Sequence, residues 1–548
     1  MKVQSCLLSA AIASALVVAS PASAVKRGVD TTRGDAVAAR ARTLLGNHAV
    51  ARLAQAAAAD EFVPGVVFVD ADGTEHVRFQ RLYQGLPMIG GDLVMHSRNG
   101  QVAGVSQTLA TSERPGVLPA INSGLAIVNA SADFGTPFTA PPGAQKVVYA
   151  RGPKPVLAYE VTLAGVRADQ TPSEMHYIID AGNGAILAKW DAVHTARPGR
   201  DKGGCADPVD AVGVGNSLLE GTVALATSNC GSSGFQLVDN TRGGGSTTNM
   251  GMRQNGMGSV YSDGDNTWGN GALNDAATVA VDAHYGISVT WDYYLDRHER
   301  EGIADDGVGA ISRVHYGRNY ANAFWRDSCF CMTFGDGDNG VTTNPLVALD
   351  IAGHEMSHGV TSHSAGLVYE GESGGLNEAN SDIFGTMVEY YANNPADPVD
   401  YLIGENIYAN NPGYLALRYM FKPSLDGLSP DCYIPELGDM DVHYNSGVAN
   451  HFYYLLAEGA VVPEGFGADS QFALTPGDLV CDGNTTLAGI GREAAEKIWY
   501  RALTVYMTSD TDYAGARAAT LSAAEDLYGA GSAQALGVAA AWNAVSVM

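Results

Sequence analysis

The sequence predicts an α+β protein in which a strand-rich first part precedes a β-rich lobe and then a helical lobe. Short strand patterns broken by Gly, Asp-Gly and Asn-Gly turns run from residue 66 to residue 193. Residues 210–345 mix further strands with one long helical pattern, and helical patterns dominate from residue 346 onward. The charge changes near residue 200: residues 1–200 hold 18 Lys and Arg against 15 Asp and Glu, whereas residues 201–548 hold 14 against 44.

Residues 1–24 have the pattern of a signal peptide. Lys2 supplies the positive start, an apolar run follows, and Ala22-Ser23-Ala24 offers small residues for cleavage. The apolar run is too short for a comfortable membrane span, so a transmembrane anchor is the weaker alternative. We therefore expect a secreted, extracellular protein.

Residues 25–200 form the next predicted unit. Its first stretch, up to residue 60, is rich in alanine with scattered arginines and is expected to be helical. Strands follow, and Asn183-Gly184 predicts a hairpin turn between two of them. The segment HTARPGRDKGGCADP (194–208) is rich in Gly, Pro and basic residues, which is typical of an exposed linker that proteases cut. We place the domain boundary there, near residue 200.

Residues 201–352 are the predicted β-rich lobe and residues 353–548 the predicted helical lobe. Helical patterns cover residues 275–298, 346–364, 376–394, 445–460, 493–507 and 512–529. These acidic lobes carry a net charge of −30 within a chain of net −27. Like charges repel, so we expect neither nucleic acid nor an anionic membrane as a partner.

Six of the seven cysteines follow the signal peptide, and an exported protein is expected to pair them. Six cysteines allow 15 pairings. Proximity along the chain favours two pairs, Cys205–Cys230 and Cys432–Cys481. Cys329 and Cys331 are then left to pair with each other or with other partners. A zinc site at these two cysteines is the alternative, but it lacks two further ligands nearby.

The segment AGHEMSHG (352–359) places two histidines four residues apart. On a helix, positions i and i+4 lie above one another, so His354 and His358 would direct both imidazoles at one point. Glu355 lies about 100° around the helix axis, beside that point. This arrangement suits two metal ligands and a nearby general base, although such histidines also occur as surface or core residues.

A catalytic zinc needs a third protein ligand and an open position. The metzincin pattern is excluded, because it requires glycine and histidine where the chain has Thr361 and Ser364. His363 follows His358 by five residues and should point off the ligand face, as an exposed residue at the helix end.

The stretch GGLNEANSDIFG supplies carboxylates for the third ligand. Glu378 and Asp382 are themselves four residues apart, so they face one direction on a helix. One can bind the metal while the other accepts a hydrogen bond from a ligand histidine. A solvated helix face is the alternative, but the two patterns occur together in one short stretch, which favours zinc.

The segment GHEMSHGVTSHSAGLVYEGESGGLNEANSDIFG closely resembles the thermolysin family of secreted zinc metallopeptidases. RVHYGRNYANAFWRDSCFCMTFGDGDNG and DVHYNSGVANHFYYLL match further family blocks, and DVHYNSG is closer to its elastase-like, vibriolysin-like branch. The strand-rich first part, with HVRFQRLYQGLPMIGGDLVMH, is similar to the family's propeptide. The resemblance implies a two-lobed zincin fold and a zymogen whose propeptide assists folding and inhibits the enzyme.

The resemblance also implies a role for each site residue. One zinc ion would be held by His354, His358 and Glu378, with Glu355 as general base and Asp382 behind the ligands. His443 and Tyr369 would stabilise the oxyanion, and Asp441 would orient His443, although Asp439 is close enough to compete. The substrate main chain would bind at Asn322, Ala323 and Arg418.

Calcium is the second cofactor that the resemblance implies. At least one structural ion would be held by Asp350, Glu389, Asp400, Glu405 and the backbone carbonyl of Leu402. An apolar residue at position 402 leaves a second adjacent ion in doubt, so we expect one. SDGDN (262–266) is either another calcium site or a turn. GDGDNG (335–340) is not an EF-hand, because its twelfth position is Val347.

The sequence therefore predicts a zinc-dependent endopeptidase made as a zymogen, cutting before hydrophobic residues, with protein and peptide substrates. Its own propeptide is the predicted intramolecular partner, and the enzyme is expected to be a monomer. A zinc aminopeptidase or narrow processing enzyme is one alternative. A secreted binding module on an inactive protease fold is another, although the presence of Glu355, Tyr369 and His443 argues against it.

Overall fold

The computed structural model describes residues 31–193, 205, 207–408 and 415–548. The predicted signal peptide lies outside these residues, as does most of the predicted linker at 194–208. None of the described helices combines the length and the apolar character needed to span a membrane.

Residues 31–193 form a sheet covered by three helices. The helices are α1 Thr31–Leu45, α2 His48–Leu53 and α3 Ser123–Phe134. The strands are β1 Asp60–Val69, β2 Thr74–Tyr83, β3 Leu86–Ile89, β4 Leu93–Arg98, β5 Gln101–Ser106, β6 Gly143–Tyr149, β7 Val156–Val166, β8 Pro172–Asp180 and β9 Ile186–Asp191. They form one sheet in the order β5-β4-β2-β3-β6-β7-β8-β9, with β1 paired to β2.

The predicted helical stretch at 25–60 is two helices within the described residues. Asn47 separates them, because its side chain accepts a hydrogen bond from the Ala49 N–H and so caps α2. The predicted hairpin is confirmed: β8 and β9 pair antiparallel, and Gly184 in their connection has φ +81°. Helix α3 was not predicted, because Leu125 and Val128 face solvent and obscure its apolar periodicity.

The β-rich lobe contains short strands around one long helix, α4 Ala276–His298, which confirms the prediction at 275–298. The strands are β10 Val209–Asn216, β11 Thr222–Asn229, β12 Phe235–Gln236, β13 Val238–Asp239, β14 Gly245–Asn249, β15 Ser259–Val260, β16 Ser262–Asp263, β17 Thr267–Trp268, β18 Ile311–Tyr316, β19 Ala323–Arg326 and β20 Cys331–Gly335. They form two sheets, ordered β16-β12-β11-β10-β17 and β13-β14-β18-β20-β19, with β15 on β14. Strand β19 is therefore an edge strand.

The helical lobe confirms the predicted helices and adds two, a short one before residue 446 and one at the end of the chain. Its helices are α5 Leu349–Ser362, α6 Gly371–Ala392, α7 Val442–Asn445, α8 Gly447–Glu458, α9 Arg492–Arg501, α10 Tyr513–Tyr528 and α11 Ala533–Ala544. A π-helical turn, Ala502–Tyr506, extends α9. A small ladder pairs β21 Leu402–Ile403 with β22 Arg418–Tyr419.

Helices α5 and α6 approach closely because glycines face each other between them. A Cβ at Gly353 would lie 3.0 Å from the Cα of Gly385. A Cβ at Gly385 would overlap the carbonyl oxygen of Asp350. These two helices carry the predicted zinc ligands, so the glycines bring the two halves of that site together.

One hydrophobic core joins the two lobes. It runs from Leu225 in β11 through Trp325 in β19 to Val547 at the chain end. The disulfides Cys205–Cys230 and Cys432–Cys481 are present as predicted. Cys329 pairs with Cys331, which excludes the alternative of a cysteine zinc site there.

Residues 31–193 dock on the helical lobe around the π-helical turn. The Arg78 guanidinium donates to the carbonyls of Thr504 at 3.4 Å and Met507 at 2.8 Å. The Asp92 carboxylate accepts hydrogen bonds from the N–H and hydroxyl of Ser509, at 3.0 and 2.6 Å. The Ser509 carbonyl in turn accepts from the N–H of Val368, next to the predicted site residue Tyr369. The docked unit therefore contacts a segment that supports the candidate site.

Candidate active site

Two histidines and a glutamate converge at the interface of α5 and α6. The Nε2 atoms of His354 and His358 lie 3.0 Å apart. The Glu378 carboxylate oxygens lie 3.5 Å from His354 Nε2 and 3.4 Å from His358 Nε2. All three residues are buried, and their ligand atoms lie within 4.8 Å of one another.

The donor set and its charge fit a zinc ion. Two imidazoles and one carboxylate are a recurrent ligand set of catalytic zinc. Oε2 of Glu378 is buried without a hydrogen-bond partner. Burial lowers the pKa of His358, but the nearby Glu378 carboxylate outweighs it and raises that pKa to about 9. The site therefore attracts positive charge.

Neighbouring side chains fix which nitrogen each histidine turns toward the centre. His354 Nδ1 lies 2.9 Å from Asp382 Oδ1, which can only accept a hydrogen bond when ionised. His358 Nδ1 lies 2.8 Å from Asn377 Oδ1, and the Asn377 amide donates to the Leu367 carbonyl. Both Nδ1 atoms are therefore protonated, so Nε2 is the nitrogen that each ring would offer to a metal.

Asp382 is held in place by three donors. Besides His354, it accepts two hydrogen bonds from Arg418, at 2.6 and 2.8 Å, and one from Asn450 at 2.7 Å. Burial would raise the pKa of Asp382, but the Arg418 guanidinium and the His354 ring hold it well below its usual value. Asn377 and Asn450 were not predicted, because an asparagine on a helix gives no signal of which partner it meets.

Glu355 lies beside the convergent ligands with one bare oxygen. Its Oε2 is buried and has no hydrogen-bond partner, whereas its carboxylate accepts from the Trp325 N–H of β19. Burial raises the pKa of Glu355. A buried carboxylate with an uncommitted oxygen can accept a proton from a reactant.

Two hydrogen-bond donors, Tyr369 and His443, lie beside Glu378. The Tyr369 hydroxyl donates to Glu378 and lies 3.1 Å from His443 Nε2. His443 Nδ1 lies 2.7 Å from Asp441 Oδ1, so the carboxylate at this ring is that of Asp441 and not of Asp439. The His443 side chain is half exposed, as a group that meets a substrate must be.

Asn322 and Ala323 lie at the start of the edge strand β19. Asn322 is exposed, and its Oδ1 accepts from the Ala323 N–H at 2.9 Å. Among the described strands, β19 pairs only with β20. Its other edge offers backbone groups that an extended peptide could pair with.

Residues of β9 and the segment after it contact two parts of the chain next to this site. Val193 packs against the aromatic group around Tyr320 and Phe324, the latter in β19. The Lys189 N–H donates to Glu370, the residue after Tyr369, at 3.3 Å.

A second buried acidic group lies at the far end of the same two helices. Asp350 in α5, Glu389 in α6 and Glu405 offer carboxylate oxygens within 4.8 Å of one another. Both Glu389 oxygens and Oε2 of Glu405 are buried without a hydrogen-bond partner. Burial, with the charge of Asp350, raises the pKa of Glu405 to about 10. Bare buried carboxylate oxygens are suitable ligands for a hard cation.

The other predicted calcium residues lie around this group. The negative charge of Asp400 helps to raise the pKa values of Glu389 and Glu405. Its Oδ1 accepts a hydrogen bond from the N–H of Leu402 at 2.7 Å. Asp397, which was not among the predicted calcium residues, also helps to raise the pKa of Asp350 through its negative charge.

Other predicted features lie away from both groups. His363 ends α5 half-buried, with Nδ1 2.9 Å from the Gly359 carbonyl, off the ligand face. In SDGDN, Asp263 accepts from the N–H groups of Asp265 and Asn266, which makes this segment a turn. In GDGDNG, Asp338 accepts from Thr342 and Thr343.

Comparison with protein families gives three matches. The model of the thermolysin metallopeptidase catalytic domain matches residues 212–362, and that of the thermolysin metallopeptidase alpha-helical domain matches residues 365–547. The fungalysin/thermolysin propeptide motif matches residues 60–109. The α+β fold, with a β-rich lobe, a helical domain and a preceding propeptide, is thus confirmed.

Curated relatives span most of the chain. A transglutaminase-activating metalloprotease of Streptomyces mobaraensis is 47% identical over 496 residues, which is 89% of this chain and 61% of that protein. A thermolysin of Alicyclobacillus acidocaldarius subsp. acidocaldarius is 39% identical over 499 residues, 87% of this chain and 84% of that protein. A bacillolysin of Bacillus cereus is 38% identical over 525 residues, 90% of this chain and 87% of that protein.

Proposed function

The chain belongs to the thermolysin family of metallopeptidases, and from that membership we propose how its own residues hydrolyse peptide bonds. It is a zinc metalloendopeptidase that carries the family's propeptide. The observation that carries the proposal is the convergence of His354, His358 and Glu378 beside the bare oxygen of Glu355.

Glu355 is the proposed general base. His354, His358 and Glu378 would hold the zinc ion, which would supply a Lewis acid for the scissile carbonyl and for the attacking water. Glu355 takes a proton from the attacking water on its bare oxygen and delivers it to the departing amine. The raised pKa of Glu355 favours holding that proton between the two steps.

His443 and Tyr369 are the proposed stabilisers of the negative charge that develops on the carbonyl oxygen. The Tyr369 hydroxyl and His443 Nε2 lie 3.1 Å apart beside the ligand Glu378, where donors to that oxygen are needed. Asp441 accepts from His443 Nδ1, which keeps the proton on that nitrogen and fixes the ring. The charge of Glu378 also raises the pKa of His443, which favours its protonated, donating form.

The substrate is proposed to bind as an additional strand on β19. Asn322 and the Ala323 backbone would hold its main chain, and Arg418 would reach a substrate carbonyl while its guanidinium stays anchored on Asp382. We propose a preference for cutting before hydrophobic residues. The contacts of residues 170–193 with the aromatic group beside β19 and with Glu370 support an inhibitory role for the propeptide.

The second acidic group is proposed to bind a structural calcium ion. Its ligands would be Asp350, Glu389, Asp400, Glu405 and the carbonyl of Leu402. The bare buried oxygens of Glu389 and Glu405 support this proposal. Such an ion would fix the ends of α5 and α6 and so the spacing of the zinc ligands between them.

The proposed domain organisation is a signal peptide at 1–24, a propeptide at 25–200, a β-rich lobe at 201–352 and a helical lobe at 353–548. We propose that the enzyme is secreted, acts as a monomer on proteins and peptides, and binds neither nucleic acid nor, after signal removal, membranes. The three disulfides support export to an oxidising compartment.

Replacing Glu355 with alanine tests the proposal. The variant should retain one zinc per chain by elemental analysis and lose hydrolysis of internally quenched peptides. Glu464→Ala is the matched control, because Glu464 is an exposed glutamate far along the chain from the ligands. Undiminished turnover by Glu355→Ala would remove the assignment of the base.

A further inference from the structure

An apolar group beside the start of β19 is surrounded by four arginines. The group consists of Met250, Tyr316, Tyr320 and Phe324, and Val193 of the propeptide packs against it. Asn322 and Ala323, which are proposed to hold the substrate main chain, lie between Tyr320 and Phe324 in the sequence. The four arginines, which form the arginine rim of this group, are Arg253, Arg313, Arg318 and Arg326.

Two arginines of the rim lie on one face of the sheet. Arg313 of β18, Thr333 of β20 and Phe324 of β19 are paired in one row across three strands. Arg313 donates to the Thr333 hydroxyl at 2.9 Å, and the Arg326 guanidinium lies over the Phe324 ring, 5.7 Å from its centre. Arg313 is only 4% exposed, and burial, followed by the charge of Arg326, lowers its pKa to about 10. The two positive charges therefore lie near each other.

The other two arginines of the rim, Arg253 and Arg318, are exposed. They follow β14 and β18, which pair in parallel. The Arg253 side chain donates to the Met250 carbonyl at 3.0 Å, and the Arg253 carbonyl accepts from the Gly317 N–H at 3.4 Å. The two residues are therefore neighbours at the edge of the apolar group.

The arginine rim lacks acidic partners within the described ranges of the chain. There, no carboxylate lies within 4.0 Å of a side-chain nitrogen of the rim. Asp327 follows Arg326 in the sequence, but it accepts from Trp325 Nε1 at 2.7 Å. Residues 201–548 hold 14 Lys and Arg against 44 Asp and Glu, so four of 14 positive side chains are left unpaired here despite an excess of acids. Such a surface is complementary to a negative group of another molecule.

The propeptide docks on the exposed part of the rim through neutral groups. In the turn between β7 and β8, Gln170 Oε1 accepts from the Arg318 N–H at 3.0 Å and from Gln254 at 2.8 Å. The Gln170 amide donates to the Arg318 carbonyl at 2.7 Å, and the Thr171 hydroxyl lies 3.2 Å from the Tyr320 hydroxyl. This surface therefore accepts a docked chain segment, and removal of the propeptide would expose its arginines beside β19.

We propose that the arginine rim of the mature enzyme binds acidic side chains of protein substrates near the scissile bond. Guanidinium groups bind carboxylates through paired N–H donors. Arg326 follows Ala323 by three residues, which is about 10 Å along a strand at about 3.3 Å per residue, so it would meet a substrate side chain close to the bond that is cut. The inference rests on the proposed function, because it states which substrates the same site selects.

Two internally quenched peptides test this inference. They share a hydrophobic scissile core, and the residues flanking that core on both sides are Asp in one peptide and Asn in the other. With the zinc-loaded enzyme that matures from the full-length chain, kcat/KM at low salt should be about 5- to 10-fold higher for the Asp peptide, because each exposed ion pair adds up to a few-fold. The net negative charge of the enzyme opposes this preference, so its presence would indicate a local positive site. The ratio should approach one in about 0.5 M NaCl.

Variants identify the arginine rim as the source of the preference. Arg318→Gln and Arg326→Gln should each lower the ratio of the two kcat/KM values by about two- to threefold. Arg297→Gln is the matched control, since Arg297 is an exposed arginine on α4, and it should leave the ratio unchanged. A substitution that only reduces the folded fraction lowers both kcat/KM values equally and does not move their ratio.

The outcomes distinguish this inference from the proposed function. Equal kcat/KM values in the parent enzyme, or a preference that persists in both variants, would overturn the arginine rim and leave the peptidase in place. Stronger inhibition of Asp-peptide hydrolysis by a single-stranded oligonucleotide than by hexa-aspartate would assign the rim to nucleic acid and also overturn it. If neither peptide is cut, the proposed function fails, and fluorescence anisotropy of a labelled Asp peptide then decides: salt-sensitive binding that weakens in both variants supports the rim, and its absence overturns it.

Discussion

Acidification should loosen the contact between the propeptide and the helical lobe, because a buried histidine pair lies at that contact. His76 and His96 oppose each other on β2 and β4, with their Nδ1 atoms 2.7 Å apart. The Tyr506 ring lies against both, with ring centres 6.3 and 4.9 Å away. Arg501 forms an ion pair with Asp70 and lies 3.5 Å from His76 Nε2. A proton added to His96 would be repelled by the positive charge of Arg501.

The size of the effect follows from the pKa of His96. Burial lowers that pKa from 6.5 to about 3; His76, Arg501 and Arg78 add to the shift, and Asp526 opposes it. A histidine whose pKa is lowered in the docked state contributes stability that is present above its free pKa and is lost as the pH falls. If undocking restores the free value, docking at pH 5 loses about 2 kcal/mol, or roughly 30-fold in the docking equilibrium.

Hydrogen exchange of the full-length Glu355→Ala chain measures this loss. The Ser509 amide donates across the contact to Asp92 at 3.0 Å and therefore reports on docking. Amides within α6 report on the rest of the fold. After correction for intrinsic exchange, Ser509 protection should fall by up to about 30-fold between pH 7.5 and 5, with that of α6 unchanged.

Comparing the pH profile of the parent chain with those of two histidine variants separates the contribution of His96 from that of other titrating groups. Burial raises the pKa of Asp510, which pairs with the propeptide's Arg151, to about 6. A raised carboxyl pKa favours docking at low pH and so opposes the effect of His96. The pH profile should flatten or reverse in His96→Gln but not in His48→Gln, since His48 is exposed on α2. Identical profiles for all three chains would refute the reasoning.

Three further variants test contacts described above. Arg78→Ala should lower the refolding yield of the full chain and weaken docking by about 2–3 kcal/mol, because two carbonyls near the π-helical turn lose a buried charged donor. Asn377→Ala should weaken zinc binding about 10- to 100-fold in chelator competition, because His358 Nδ1 loses its acceptor. Gly385→Ala should lower the free energy of unfolding in urea by about 1–3 kcal/mol, because its Cβ meets the Asp350 carbonyl.

Each of these variants has a matched control. Arg98→Ala removes an exposed arginine of the propeptide and should refold like the parent chain. Asn484→Ala alters an exposed loop and should keep full zinc affinity. Gly116→Ala adds a Cβ in open space and should leave the urea midpoint unchanged. A variant that behaves like its control would contradict the contact on which its prediction depends.

The zinc ligands were predictable because their geometry is mostly local. The spacing of His354 and His358 fixes one helix face, and that of Glu378 and Asp382 fixes another. Only the approach of the two helices is non-local; the occurrence of both patterns in one short stretch indicated it, and the family resemblance agreed. The roles of Tyr369, His443 and Arg418 came from that resemblance alone and stay predictions, as does the placement in the elastase-like branch.

The unpredicted features depend on residues that are distant in sequence. The arginine rim carries no pattern in the sequence, because Arg253 and Arg318 become neighbours only through the pairing of β14 with β18. The contact between Arg78 and Thr504 joins residues 426 positions apart. Helix α11 was missed because its many alanines leave little difference between its buried and exposed faces.

The single core shared by both lobes has a consequence for how long the active enzyme survives its own activity. A protease digests its neighbours wherever a segment opens far enough to enter the cleft of another copy. Because both lobes share one continuous core among the described residues, unfolding of either lobe would expose apolar surface of the other, and the lobes are expected to unfold together. Self-digestion of the core should then require the whole molecule to unfold, and the working lifetime of the enzyme should follow one steep, temperature-dependent rate.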